Sequence, residues 1–184
     1  MSTATRMTAE EYFAVSVERD WTELVDGVMV VDEPMLLHNL AQTRIVTELA
    51  NWTDAAPNRG FVSTPSSILV DRHNVFSPDV LWISEEHLPK RFDERLDAVP
   101  DLAVEIRSPS TWRYDVGKKK ATYERGGLPE LWLVDTAAWS VLVFRRSSKA
   151  ASAFDVELEL SRSDRITSPQ LPGFSLAVER LFVR

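Results

Sequence analysis

Short runs of alternating and helix-spaced hydrophobic positions predict most of the elements of this chain. Glu23-Leu24-Val25 and residues 28–31 flank Asp26-Gly27. That dipeptide supplies the positive φ angles of a two-residue turn, so the segment predicts a β-hairpin. Ahead of it, Thr8 and Glu11 stand at capping-box spacing before Tyr12, Phe13 and Val15, which predicts a short helix. Over residues 38–53 the period lengthens to that of a helix, with Leu40, Ile45, Leu49 and Trp52 able to share one face. Pro57 and Gly60 close that element. Residues 61–70 predict a strand despite Pro65, and residues 79–83 a short apolar strand after Ser77-Pro78. Residues 84–99 are polar and predict a loop with some helix.

Residues 102–106 are apolar except for Glu105, as in a buried central strand. Residues 111–125 predict a helix stopped by Gly126-Gly127. Residues 131–135 and 139–144 read as strands joined by a short turn, and the alternation over 154–160 as a half-exposed strand. Residues 176–182 close the chain as a short helix. No repeat, low-complexity tract or linker interrupts this order, so one domain over residues 1–184 is expected. Its class is mixed α/β: a central sheet flanked by helices, one of which crosses over between central strands, with a helix and hairpin at the N-terminal end.

Composition narrows the chemistry. Lys and Arg total 21 against 28 Asp and Glu, a net charge of −7. Such a chain lacks the overall positive field of a non-specific nucleic-acid coat, so any phosphate contact needs a local patch or bound cations. The chain has no Cys, which excludes disulfides, thiol nucleophiles and Cys-ligated metals. No apolar run approaches the ~20 residues of a membrane span. Residues 1–17 lack the basic start and apolar stretch of a signal peptide. A cytoplasmic protein without membrane contact is expected. The six Trp residues lie mostly in apolar runs and read as core.

Two acids occupy positions where an acid is costly without a partner: Asp79 opens one apolar strand and Glu105 lies inside another. Alternation puts Ala103, Glu105 and Arg107 on one face of their strand. A Glu105–Arg107 ion pair is the structural explanation. The alternative is that Asp79 and Glu105, on adjacent strands, share a divalent ion; Mg2+ needs only one or two carboxylates. Asp101 lies on the same strand as Glu105 and cannot supply the second one. In the following helix, Val116, Lys119 or Lys120, and Tyr123 fall at helical spacing, which turns one lysine inward, although a run of three lysines is also what a solvated face looks like. Acid, acid and lysine together suit phosphodiester hydrolysis. The metal lowers the pKa of a bound water, and the amine orients or deprotonates that water or offsets developing charge.

Ser77-Pro78-Asp79-Val80, residues 100–106, Ser108-Pro109-Ser110, Asp115, Lys119, Tyr123 and residues 127–135 together resemble the Uma-two family of endonucleases. Residues 8–11, 23–27 and 171–174 extend the resemblance along nearly the whole chain. That family belongs to the PD-(D/E)xK superfamily, so the resemblance implies a restriction-endonuclease-like fold. It also implies Asp79 and Glu105 as metal ligands, Lys119 as the catalytic lysine, Mg2+ as cofactor with Mn2+ able to substitute, and DNA as substrate. Arg107 stands where the superfamily usually carries its lysine; it anchors phosphate but makes a poor base. Glu23 and His38 match family positions bordering the pocket. Glu23 reads equally as an edge-strand acid paired with a surface base, and His38 as a helix cap or loop contact. His73 and His87 lie in polar loops without ligand spacing. Cutting both strands of a duplex often uses two copies of one site, so a homodimer is expected. The six basic residues between Arg107 and Arg125 would seat a phosphate backbone. The alternative function is a catalytically inactive nuclease-fold module that binds nucleic acid or protein; the net charge and the Arg at position 107 favour it.

Overall fold

A computed structural model of the chain describes residues 6–15, 22–93 and 96–183. Parts of the N-terminal stretch 1–17 and of the loop 84–99 read above therefore lie outside the described residues.

Local sequence rules set the first elements. The N–H of Glu11 donates to Thr8 Oγ1 at 3.2 Å, and the N–H of Thr8 donates to Glu11 Oε2 at 2.7 Å, the two halves of a capping box. Helix α1 (Ala9–Ala14) follows and buries Ala9 and Tyr12. Strands β1 (Thr22–Val25) and β2 (Val28–Val31) form the predicted hairpin, with Asp26 at φ 53° and Gly27 at φ 74° in the turn. Helix α2 (Leu36–Asp54) buries His38, Ala41, Ile45 and Leu49. Its inward stripe therefore runs one position later than Leu40 and begins with a histidine.

The chain then departs from the expected single strand over 61–70. Pro65 cannot donate to a sheet ladder, and the backbone changes sheets across it. Strand β3 (Phe61–Ser63) pairs with β6 (Val80–Ile83), whereas β4 (Ile68–Asp71) pairs with β5 (Asn74–Phe76). Strand β5, absent from the sequence reading, pairs in turn with β1. The result is an antiparallel four-stranded sheet, β2-β1-β5-β4.

The larger sheet has six strands in the order β10-β9-β8-β7-β6-β3. Its members β7 (Leu102–Ile106) and β8 (Glu130–Asp135) are parallel; β9 (Ser140–Arg145) and β10 (Val156–Leu160) continue antiparallel. A parallel pair needs a crossover, which here is α3 (Trp112–Tyr114), a π turn (Asp115–Lys119) and α4 (Lys120–Arg125), stopped by Gly127 at φ 86°. A small pair, β11 (Arg165–Ile166) and β12 (Leu176–Ala177), leads into a 3-10 turn at Val178–Leu181, in place of the expected final helix.

Alternation along the strands divides the core. Val80, Trp82, Val104, Trp132 and Val143 face Ala41, Ile45 and Leu49 of α2 together with Phe174 and Leu181 from the C-terminal segment. Leu81, Ala103, Leu131 and Leu133 face Val25 and Phe76 of the small sheet and Tyr123 of the crossover. No helix among the described residues is long and apolar enough to cross a membrane.

Candidate active site

The antiparallel register of β6 and β7 pairs Val80 with Val104. Continued by one residue, it sets Asp79 opposite Glu105, and directly opposed residues project from the same face of a sheet. Both acids line one cavity of about 200 Å³, together with Glu23, Asp32, Thr111 and Lys119. Asp79 is held at both ends. Its Oδ2 accepts the N–H of Ile106 at 2.7 Å, and its carbonyl accepts Gln42 Nε2 at 2.8 Å.

Lys119 is fully enclosed at 2% exposure. Its ammonium lies 2.9 and 2.8 Å from the two carboxylate oxygens of Glu23, 2.9 Å from Glu105 Oε1 and 3.2 Å from Asp115 Oδ1. The last contact is close enough for an ion pair but lacks hydrogen-bond alignment. Glu105 Oε1 also accepts the Tyr123 hydroxyl at 2.7 Å, Glu23 Oε1 accepts the N–H of Ser77 at 2.6 Å, and Asp115 Oδ2 accepts the Thr111 hydroxyl at 3.1 Å. Across the π turn it is Lys119, and not Lys120, that points inward. Asp115, Lys119 and Tyr123, spaced by four, are buried, while Val116, expected on that face, is 41% exposed.

Charge in this region is lopsided. Glu23, Asp32, Asp79, Glu105 and Asp115 surround one ammonium and one imidazole. Burial raises Glu105 well above the usual carboxylate range; the Lys119 ammonium opposes that shift, and the carboxylates of Glu23, Asp115 and Asp79 reinforce it. The same causes push Asp115 up to about 6. Burial would lower Lys119, but Glu105, Glu23 and Asp115 outweigh it and hold the amine protonated well beyond its ordinary range. That balance favours the charged amine, the form suited to offsetting negative charge on phosphate.

His38 is the third residue of α2, 3% exposed, so it is neither a helix cap nor a surface loop contact. Its Nε2 lies 3.1 Å from Asp79 Oδ1, off the axis a hydrogen bond would need. Burial lowers its affinity for a proton, yet Asp79 and Asp32 more than compensate and leave its pKa raised. Asp32, just after β2, completes the group: one donor atom each from Asp32, His38 and Asp79 lie within 4.8 Å of one another. Asp32 Oδ1 and both ring nitrogens of His38 are buried without a hydrogen-bond partner. This excess of carboxylates and these orphaned donor atoms fit a divalent cation. Asp32, Asp115 and Tyr123 went unassigned in the sequence reading. The four-residue spacing of Asp115, Lys119 and Tyr123 was a usable signal for two of these neighbours, whereas nothing local marks Asp32.

The family described as Uma2, putative restriction endonuclease, matches residues 9–179. The chain belongs to the Uma2 family. A crystal structure of a putative nuclease belonging to DUF820 from Anabaena variabilis superposes on 96% of this Uma2 chain and 97% of its own, with a TM-score of 0.80 at 16% identity. That likeness establishes the shared fold, with its mixed sheet flanked by helices. No curated protein matches.

Two expectations for the Uma2 site meet a different arrangement. Arg107 is absent from the residues lining the cavity and does not pair with Glu105. Its guanidinium bonds Asp135 Oδ1 and Oδ2 at 3.0 and 3.1 Å and lies over the Trp112 ring. The strand has ended at Ile106, so the alternation that would have aimed Arg107 alongside Glu105 no longer operates. The basic run is also largely engaged within the chain: Lys118 pairs with Asp26, Lys120 with Glu157, and Lys119 is buried. Asp101, set aside in the sequence reading, instead accepts the N–H of Ser84 and contacts His87, and is not among the cavity's lining residues.

Proposed function

We propose that this chain is a divalent-metal-dependent endonuclease hydrolysing DNA phosphodiester bonds, with Mg2+ or Mn2+ as cofactor. The convergence of Asp79, Glu105 and Lys119 on one enclosed, carboxylate-rich cavity supports the reading most strongly. Asp79 and Glu105, which both line the cavity, would hold the ion. Bound there, the ion supplies an acidified water and offsets charge on a phosphate oxygen.

The chain's own groups do the positioning. The Ile106 N–H aims Asp79, and the Tyr123 hydroxyl fixes Glu105. Glu23 clamps Lys119 against Glu105, so the ammonium faces the cavity, placed to stabilise negative charge developing on phosphate. The test is plasmid and linear DNA cleavage by the pure protein with Mg2+, Mn2+ or EDTA. Cleavage that requires the ion and is lost in Asp79→Ala and Glu105→Ala is the expected result. Cleavage unchanged in those two variants would reject the assignment, and no cleavage with either ion would favour a binding module on the same fold.

A further inference from the structure

We propose that His38 is a metal ligand, which, with Asp32 and Asp79, makes a mixed nitrogen–oxygen site suited to a first-row transition ion such as Mn2+ in preference to Mg2+. Three observations converge on it. The imidazole is buried on the apolar stripe of α2, where a histidine is costly unless its nitrogens are used. His38 Nδ1 and Asp32 Oδ1 have no hydrogen-bond partner, His38 Nε2 has only its unaligned 3.1 Å contact with Asp79 Oδ1, and all three atoms are buried. The donor atoms of Asp32, His38 and Asp79 also lie within 4.8 Å of one another, a spread that one ion closes with small side-chain movements.

The three residues come from separate parts of the fold: the segment after β2, the first turn of α2 and the residue just before β6. Gln42, one turn beyond His38, bonds the Asp79 carbonyl at 2.8 Å and so ties the helix to the strand that brings the third ligand. Ligand type then selects the ion. Carboxylate oxygens alone suit Mg2+, which dehydrates reluctantly and demands near-ideal octahedral geometry. An imidazole nitrogen shifts preference toward transition ions.

The inference rests on the metal-dependent reading above for its shared ligand Asp79, but its test needs neither DNA nor turnover. The full chain, stripped of metal, is titrated calorimetrically with MnCl2 and separately with MgCl2. Pulsed electron paramagnetic resonance of the Mn2+-loaded protein then reads nitrogen modulation from a coordinated imidazole. Modulation in the wild type is expected, with its loss in His38→Gln. That variant should bind Mn2+ at least tenfold more weakly while its Mg2+ affinity changes less than threefold, the scale at which metal sites respond to their ligand environment. The wild-type spectrum needs no variant, so misfolding of His38→Gln cannot mask the result. Mn2+ bound without nitrogen modulation overturns this inference alone. Equal loss of both ions in the variant does the same. Binding of neither ion overturns it together with the proposed function. Nitrogen modulation without any DNA cleavage upholds it and overturns only the nuclease reading.

Discussion

Two buried glutamates on neighbouring strands show how differently the same side chain can be used. Glu105 on β7 and Glu130 on β8 are 3% and 1% exposed, and burial raises the pKa of both. Glu130 projects toward the core formed with α2 and the C-terminal segment. Its oxygens accept from neutral donors, the Trp132 indole N–H at 2.7 Å and the Ser168 hydroxyl at 2.6 Å. Glu105 projects from the other face into a cavity where an ammonium and a phenol compete with other carboxylates for its charge. A carboxylate satisfied by neutral partners cross-braces the fold. One that shares a single amine with further acids leaves an electrostatic deficit that a cation can fill.

Breaking the crowded site should cost most. Lys119→Met strands Glu23, Glu105 and Asp115, and should lower unfolding stability by ~3–5 kcal/mol in urea titration. Adding Glu23→Gln should recover part of that loss; no recovery would mean that the charges are not coupled. Next comes the contrast in activity. Glu105→Gln should reduce DNA cleavage by roughly 10²–10³-fold, the scale of losing one preorganised charge contact, whereas Glu130→Gln should leave it within a few-fold. Similar losses in both would abolish the distinction between the two glutamates. Ser168→Ala removes a donor from a buried acid and should cost ~1.5–3 kcal/mol of stability with cleavage intact.

A smaller effect concerns pH. Folding raises Asp115 from an ordinary value of 3.8 to about 6, so between those values the folded chain holds the proton more tightly than the unfolded chain. Stability contributed by this group therefore falls as pH rises through that window. In thermal melts, Asp115→Asn should gain on the wild type from about pH 4 to about pH 6; parallel curves would show that the carboxyl titrates normally. Smallest of all, Arg107→Ala breaks a partly exposed pair with Asp135, costs about 0.2–1 kcal/mol and leaves the cavity unchanged.

The elements governed by neighbours along the chain were readable in advance. Asp26-Gly27 and the Thr8–Glu11 capping box are local devices, and each forms as its residues dictate. Alternation along 102–106 likewise sorted Glu105 from Leu102, Val104 and Ile106. What escaped depended on assembly. Pro65 marked a break, but only the finished fold shows the two halves entering different sheets. His38 looked like a terminal cap because the helix begins two residues earlier than its periodicity suggests. Asp32 meets His38 and Asp79 through the packing of separate segments, which no spacing encodes. Asp115 was visible as a motif residue four positions before Lys119, yet that spacing alone did not show that both side chains would be buried against Glu23 and Glu105.

The π turn makes the segment after β7 sensitive to length in a way surface loops are not. It spends one more residue than an α-helix would over the same span, and Gly117 sits in it with nothing within 4 Å of where a Cβ would lie. Excising Gly117, which itself packs against nothing, would tighten the coil. Side chains on one side of the cut would rotate by roughly 100° relative to those on the other. Asp115 and Lys119 would part company, and the amine would lose its alignment with the two neighbouring strands. The chain's capacity for chemistry is thus indexed to a count of residues as much as to their identity.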